Sequence, residues 1–172
     1  MNVFCYPRVL ASSGLQRVLD LEPRAAPQFG FPARVPLKNG RGDRTEVDLR
    51  LDNLLIEAKL TEVSFQRALK ARLHAYRDFE EVFDGERLPQ SDGHLDSYQI
   101  IRNVLGAFAS CRSFCVLVDA RRPDLIERYY AVLSCVRPVE LRTVCRILTW
   151  QELAGTLPGR LQAFLQVKYG IE

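Results

Sequence analysis

The chain has 172 residues, which is enough for one domain with a hydrophobic core, and its 47% hydrophobic and 26% charged residues are typical of a globular protein. The 24 Lys and Arg residues against 21 Asp and Glu residues give a net charge of only +3, although these charges are unevenly distributed. No apolar run approaches the roughly 20 residues of a membrane-spanning helix, and residues 1–14 lack the pattern of a signal peptide. We therefore expect a folded cytoplasmic protein.

Five cysteines, an odd number, lie mostly in apolar segments, which favours buried reduced thiols over disulfides. Cys111 and Cys115 have a C-x3-C spacing, but no second Cys or His pair lies nearby. The sequence therefore does not favour a zinc or iron–sulfur site.

The first half of the chain predicts a helix, an edge strand and a β-hairpin. Residues 8–21 have helical spacing of apolar residues, although Gly14 weakens this prediction. Residues 31–38 predict a short strand at a sheet edge because the segment contains two prolines. Residues 39–43 ("NGRGD") predict a turn, and a hairpin over residues 44–60 follows.

The hairpin has one apolar face and one charged face if the chain turns at Asp52-Asn53. The expected apolar cross-strand pairs are Leu51 with Leu54, Leu49 with Ile56, and Val47 with Ala58. The expected pairs on the other face are Arg50 with Leu55, Asp48 with Glu57, and Glu46 with Lys59. Two carboxylates opposite each other destabilise a hairpin, and a divalent cation between them would offset this. The alternative is that this face is simply solvated, as is common for antiparallel sheets.

The second half of the chain predicts alternating helices and strands. A long helix is expected over residues 62–83 with Thr61 as its N-cap, followed by a loop over 84–94 and a helix beginning after Ser97. Residues 113–120 predict a strand buried on both faces, residues 123–135 a helix, residues 143–150 a last strand, and the remainder a helix. This order predicts a mixed sheet covered by helices on both sides.

A basic segment lies in the predicted long helix. Residues 67–77 contain five basic residues and no acid, whereas residues 78–86 contain five acids. Such a segment is either a solvated helix face or a contact for phosphate groups. Arg67 and Lys70, together with Arg102 on the next helix, are our candidates for nucleic-acid contacts.

Asp48 followed by Glu57-Ala58-Lys59 across a short hairpin, with a helix after it, resembles the PD-(D/E)XK nuclease superfamily, the restriction-endonuclease-like proteins. The resemblance implies a single α/β domain with an αβββαβ core over about residues 8–120 and a C-terminal α/β extension over 121–172. The proline that gives the motif its name is replaced by Val47. Gln99 matches a helical Gln that some members carry after the motif.

This resemblance implies a metal-dependent endonuclease, and we expect DNA as its substrate. Asp48 and Glu57, with the Ala58 carbonyl, would hold Mg²⁺ or Mn²⁺. Lys59 would orient water or stabilise developing negative charge, and Gln99 would assist. The structural alternatives are a salt bridge from Lys59 to Glu46 and an ordinary helix-face hydrogen bond for Gln99.

A second interpretation of the same fold is an inactive module that binds nucleic acid or a protein partner. The complete set of Asp48, Glu57 and Lys59 favours the enzyme. Cutting both strands of a duplex would call for a second subunit, which a homodimer or a partner subunit would supply. The sequence assigns no role to Glu46 or His94.

Overall fold

The structure is a computed structural model and describes residues 2–23 and 25–172. It contains a five-stranded mixed sheet and a small three-stranded antiparallel sheet. The strands in chain order are β1 (Pro27–Pro32), β2 (Glu46–Leu51), β3 (Leu54–Ala58), β4 (Ala68–Leu69), β5 (Gln90–Ser91), β6 (His94–Leu95), β7 (Ser113–Val118) and β8 (Cys145–Thr149). The large sheet has the order β1-β2-β3-β7-β8, in which β1, β2 and β3 are antiparallel neighbours and β7 and β8 run parallel to β3. The small sheet has the order β4-β6-β5.

Helices cover both faces of the large sheet. They are α1 (Ser13–Leu19), α2 (Phe79–Val82), α3 (Tyr98–Ala109), α4 (Pro123–Leu133), α5 (Val139–Val144), α6 (Trp150–Ala154) and α7 (Gly159–Tyr169), with 3₁₀ turns at Asn2–Cys5, Val9–Ala11 and Lys70–Ala75. One buried cluster joins the sheet to α3 and α4, and a second joins the opposite face to α1, α6 and α7. Within the described residues, no helix is long and apolar enough to cross a membrane.

The turn end of the predicted hairpin is confirmed, as are the helix, strand and helix predicted directly after Ser97, whereas the predicted pairs beyond Leu49 and Ile56 are not part of the ladder. Leu49 pairs with Ile56, Arg50 with Leu55, and Leu51 with Leu54, which is the predicted register. The helix after Ser97, the buried strand after Cys111 and the helix beginning at Pro123 form within a few residues of their predicted ends. The mixed sheet with helices on both faces agrees with the predicted fold class.

The predicted long helix over residues 62–83 is wrong. The segment instead forms β4, the 3₁₀ turn Lys70–Ala75 and the single helical turn α2. Gln66 has a φ of 59°, a left-handed conformation that a helix cannot contain. Its backbone carbonyl and that of Phe65 accept hydrogen bonds from the first amides of α3, so tertiary contacts override helix propensity here.

Several boundaries and environments also differ from prediction. The first strand lies at residues 27–32 instead of 31–38, and it is an edge strand as expected, with prolines at both of its ends. In place of the predicted helix over 8–21, the structure has a 3₁₀ turn and the short helix α1. The predicted loop over 84–94 contains β5 and part of β6, and helix α5 was not predicted. Val47 packs with Leu55 and α3, not with the apolar face that Leu49 and Ile56 share. All five cysteines are free, but only three are buried, since Cys5 and Cys111 are exposed.

The C-terminal segment is built into the same sheet. Strand β8 pairs with β7 from Phe114 to Val118, and the indole Nε1 of Trp150 donates to the Lys59 carbonyl over 3.2 Å. Asp119, just after β7, accepts hydrogen bonds from the Arg121 side chain and backbone and from Gln151 on α6. These contacts fix α6, and with it the backbone at Lys59.

We expect Asp119→Asn to destabilise the protein by about 1–3 kcal/mol near neutral pH, because it removes charge-assisted hydrogen bonds at a buried position. The Arg121 guanidinium holds the pKa of Asp119 below its usual range. A depressed pKa contributes stability above the unfolded pKa of about 4, and this contribution is lost as the pH falls below that value. Urea unfolding near neutral pH and near pH 3 should show the larger difference at neutral pH. Asp124→Asn, at an exposed pair with Arg122, is the control and should cost much less; equal losses in the two variants would contradict this account.

Candidate functional site

Two strands and one helix meet at the end of the hairpin where β2 and β3 separate. The regular pairing between these strands ends at Leu49 and Ile56. Beyond it, the Asp48 carboxylate accepts a hydrogen bond from the backbone amide of Ala58 over 2.8 Å. A side chain therefore takes the place of a backbone partner, and Asp48 is held beside the end of β3.

The carboxylate of Glu57 is the centre of this site. The residue is only 1% exposed, so its charge depends on partners inside the protein. Oε1 accepts a hydrogen bond from Nε2 of Gln99 over 2.5 Å and lies 3.0 Å from Nζ of Lys59. Oε2 accepts from Nδ2 of Asn103 over 2.9 Å. Helix α3 thus supplies two amide donors one turn apart, and Lys59, the residue after β3, supplies the ammonium group.

A buried arginine fixes the orientation of the Asn103 amide. Arg102 donates to Oδ1 of Asn103 from Nε over 3.3 Å and from Nη2 over 3.0 Å. Nη2 also donates to the backbone carbonyl of Glu46 over 3.2 Å. Because a guanidinium can only donate, Oδ1 must be the acceptor and Nδ2 must face Glu57. Asn103 was not among the predicted site residues, although its position four residues after Gln99 indicates the same helix face.

The charges at this site are not balanced. Burial, and then the neighbouring negative charge of Asp48, raise the pKa of Glu57 to about 7, while Lys59 and the hydrogen bond from Asn103 act in the opposite direction. At neutral pH the protein alone therefore holds Glu57 near the midpoint between its charged and neutral forms. A further positive charge would favour the ionised form.

The donor set fits one hard divalent cation. Asp48 and Glu57 are oxygen donors of the kind that Mg²⁺ prefers, and among the described residues the Asp48 carboxylate accepts one hydrogen bond, at Oδ2. A carboxylate has about four lone-pair sites, so the three donors around Glu57 leave room for one more partner. Among the described residues, no group of three or more His, Cys, Asp or Glu side chains could hold a metal ion. The arrangement therefore suits a site with two carboxylates, completed by carbonyl oxygen and water.

The predicted site residues Asp48, Glu57, Lys59 and Gln99 lie together, with Ala58 between them in sequence. Lys59 pairs with Glu57 and not with Glu46, so the salt bridge considered from the sequence does not form. The solvated-face alternative is also wrong, because Glu57, Lys59 and Gln99 are all buried.

Of the predicted nucleic-acid contacts, Arg67 and Lys70 form ion pairs away from this group, as His94 also lies apart from it, whereas Arg102 lies directly beneath the site. Arg67 pairs with Asp96 over 2.9 Å, and Lys70 pairs with Glu86 over 3.0 Å. Arg102 is buried beneath the site, which argues against direct contact with nucleic acid. His94 lies in the small sheet, where its ring contacts the Asp92 carbonyl.

The mixed sheet flanked by helices, with an acid on its second strand and Glu-Ala-Lys at the end of its third, defines a restriction-endonuclease-like protein. The chain matches the family described as restriction endonuclease associating with ARP over residues 1–170, and it belongs to that family. Searches of curated proteins and of solved structures found no significant match.

We expect the metal-free protein to lose stability as the pH rises from about 4.5 towards 7. The pKa of Glu57 is raised from 4.5 to about 7, so the folded state holds a proton that the unfolded state has released. The stability contributed by that proton is complete below pH 4.5 and disappears as the pH passes the folded value. Chemical unfolding in EDTA across this range measures the effect.

Asp48→Asn is the informative variant for this prediction, because it removes the like charge next to Glu57. The fall in stability with pH should become shallower in this variant. Asp52→Asn makes the same chemical change at an exposed turn residue and should leave the slope as it is in the wild type. If the wild type and Asp48→Asn lose stability in parallel, the two carboxylates are not electrostatically coupled.

Proposed function

We propose that this protein is a metal-dependent nuclease that hydrolyses phosphodiester bonds of DNA. The observation that carries the proposal is the convergence of Asp48, Lys59 and two helix amides on the buried Glu57 carboxylate. A hairpin that needed only solubility would not bury three charged or amide side chains around one acid, since each burial costs free energy.

The residues that would hold Mg²⁺ or Mn²⁺ are Asp48 and Glu57, with the carbonyl oxygen of Ala58. A bound divalent cation supplies Lewis acidity toward a phosphate oxygen and lowers the pKa of a coordinated water. The chain itself would orient the two carboxylates, which is the role that the contacts from Asn103 and Gln99 support, and the bound cation would favour the ionised form of Glu57.

Lys59 would act on the reacting groups directly. Its ammonium lies 3.0 Å from Glu57 and is only 7% exposed, so its position is well defined. An ammonium cannot ligate a metal, but it can donate to an attacking water or to a phosphate oxygen that gains negative charge. Gln99 has a buried Oε1 without a hydrogen-bond partner among the described residues, and this acceptor is available to a water molecule at the site.

A second candidate is a nuclease-like module that binds without cutting. Glu57 already accepts from Gln99 and Asn103 and pairs with Lys59, so the acid is largely satisfied inside the protein. The family description also names an association with ARP, and we propose that a partner protein or second subunit accompanies this chain. Cleavage of supercoiled, linear and single-stranded DNA in Mg²⁺ separates the enzyme from the module.

We expect Asp48→Asn to abolish cleavage of these DNA substrates, because one of two carboxylate ligands is lost. Millimolar Mg²⁺ or Mn²⁺ should raise the melting temperature of the wild type, since a ligand that binds only the folded state stabilises it, and Asp48→Asn should lose this increase. Asp52→Asn is the matched control and should cut and respond to metal like the wild type. Cleavage by Asp48→Asn at the wild-type rate would exclude the proposed site.

We expect Lys59→Ala to separate metal binding from chemistry. The metal-dependent rise in melting temperature should persist, while single-turnover cleavage should slow by a factor on the order of 10² to 10³, typical of the loss of one transition-state stabiliser. Lys59→Arg should restore little activity, because a planar guanidinium does not place its charge where the compact ammonium lies. Lys168→Ala, an exposed lysine on α7, is the control. Unchanged cleavage in Lys59→Ala would mean that Lys59 only neutralises Glu57.

A further inference from the structure

Two arginines share one aromatic ring at the hairpin end of the same sheet. The guanidinium carbon Cζ of Arg50 lies 4.9 Å from the centroid of the Phe31 ring, and that of Arg112 lies 5.7 Å from it. The two positive charges are therefore close neighbours, although they come from different parts of the chain. Arg50 is on β2, and Arg112 lies between α3 and β7.

Neither arginine has a carboxylate partner within the described part of the chain. Arg50 donates from Nε to the Asp52 backbone carbonyl over 2.8 Å and from Nη1 to the Gln28 side-chain oxygen over 3.1 Å. No side-chain hydrogen bond from Arg112 is found among the described residues, and its Nε is buried without a partner. The only acid near Arg112 in the adjacent hollow is Glu140, which forms no ion pair with it.

Holding two like charges together without an anion destabilises both. Burial, and after it the positive charge of Arg50, lower the pKa of Arg112. The Phe31 ring offsets a part of this cost through cation–π contacts, but it also holds the guanidinium groups in place. Three other arginines are differently arranged, since Arg77, Arg121 and Arg122 each pair with a neighbouring aspartate.

The position of the two arginines relative to the acidic site indicates which kind of anion they would bind. Arg50 is two residues from Asp48, so the two residues lie about 7 Å apart along β2. Phosphate groups recur along a nucleic-acid strand, and guanidinium groups recognise them through paired N–H donors. One nucleic-acid strand that passes the acidic site would bring further phosphates to this end of the sheet.

We propose that Arg50 and Arg112, supported by Phe31, bind a backbone phosphate of a nucleic acid beside the acidic site. We call Arg50 and Arg112 the arginine pair, and Phe31 is the aromatic ring on which both lie. The inference rests on the proposed function for its choice of ligand, but it concerns binding and not cleavage. It also gives the protein phosphate contacts at residues other than Arg67 and Lys70, which form ion pairs within the chain.

The test measures binding of a short fluorescein-labelled DNA duplex by fluorescence anisotropy, in EDTA so that no cleavage occurs. Arg112→Gln should weaken binding on the order of tenfold. The slope of log affinity against log salt concentration should become shallower by about 0.9 in Arg50→Gln/Arg112→Gln, which no longer neutralises this one phosphate. Arg160→Gln removes the same charge from an exposed position on α7, which packs on the opposite face, and should bind like the wild type.

Lysine variants test whether a loss reflects the missing charge or local unfolding. Arg50→Lys/Arg112→Lys keeps both charges, so the salt slope should stay near the wild-type value while affinity falls moderately, because the planar forks are gone. A slope as shallow as that of the glutamine pair would overturn the proposal, as would glutamine variants that bind like Arg160→Gln. If DNA binding depends on the two arginines but the protein does not cut DNA, only the proposed nuclease activity is refuted. If the protein cuts DNA but the glutamine variants bind it normally, only this inference is refuted.

Discussion

The buried carboxylate of Glu57 is the constraint on which the rest of the structure depends. An ionised acid that is removed from water needs several donors to offset its lost hydration. Here the donors are Lys59, the residue after β3, and Gln99 and Asn103 on α3. Helix α3 must therefore pack against the sheet in the one orientation and position that bring both amides to Glu57. Gly106 permits the close approach that this docking needs, because a Cβ there would lie 3.1 Å from the Cβ of Ala33.

A second polar network anchors the start of α3. The hydroxyl of Tyr76 donates to Asp43 and lies 2.6 Å from the hydroxyl of Tyr98, the residue before Gln99. Asp43 also accepts hydrogen bonds from the backbone and side chain of Thr45, just before β2. The segment before α3, the loop before β2 and the helix itself are thus joined next to the acidic site. These polar contacts give the segment around Tyr76 a fixed place, which a regular helix over residues 62–83 would not provide.

The parts of the fold that the sequence predicts well are those determined by local pattern. The hairpin register follows from the turn at Asp52-Asn53 and from alternating apolar residues, and α3 follows from its apolar stripe. The acidic pair and Lys59 were found because strand periodicity alone places them on one face. The features that the sequence does not predict depend on long-range contacts. The left-handed conformation of Gln66 and the pairing of β4 with β6 have no signal in the local sequence. The role of Asn103 depends on the hydrogen bonds by which Arg102 orients its amide. The burial of Arg102 is likewise not predictable from the sequence, because a basic residue on an amphipathic helix is ordinarily expected at the surface.

Two groups of like charge lie near each other on this sheet. The acidic site around Glu57 has excess negative charge, and the pair formed by Arg50 and Arg112 has excess positive charge. Asp48 and Arg50 lie two residues apart on β2, yet Arg50 donates to neutral oxygens of Asp52 and Gln28, and Asp48 accepts from a backbone amide. An ion pair between them would neutralise charge in both groups, and its absence leaves two carboxylates close together in one group and two guanidinium groups in the other. A divalent cation offsets the first imbalance and a phosphate offsets the second. The proposed metal ion and nucleic-acid backbone would supply both charges at once, and the phosphate would account for two arginines that have no carboxylate partner among the described residues.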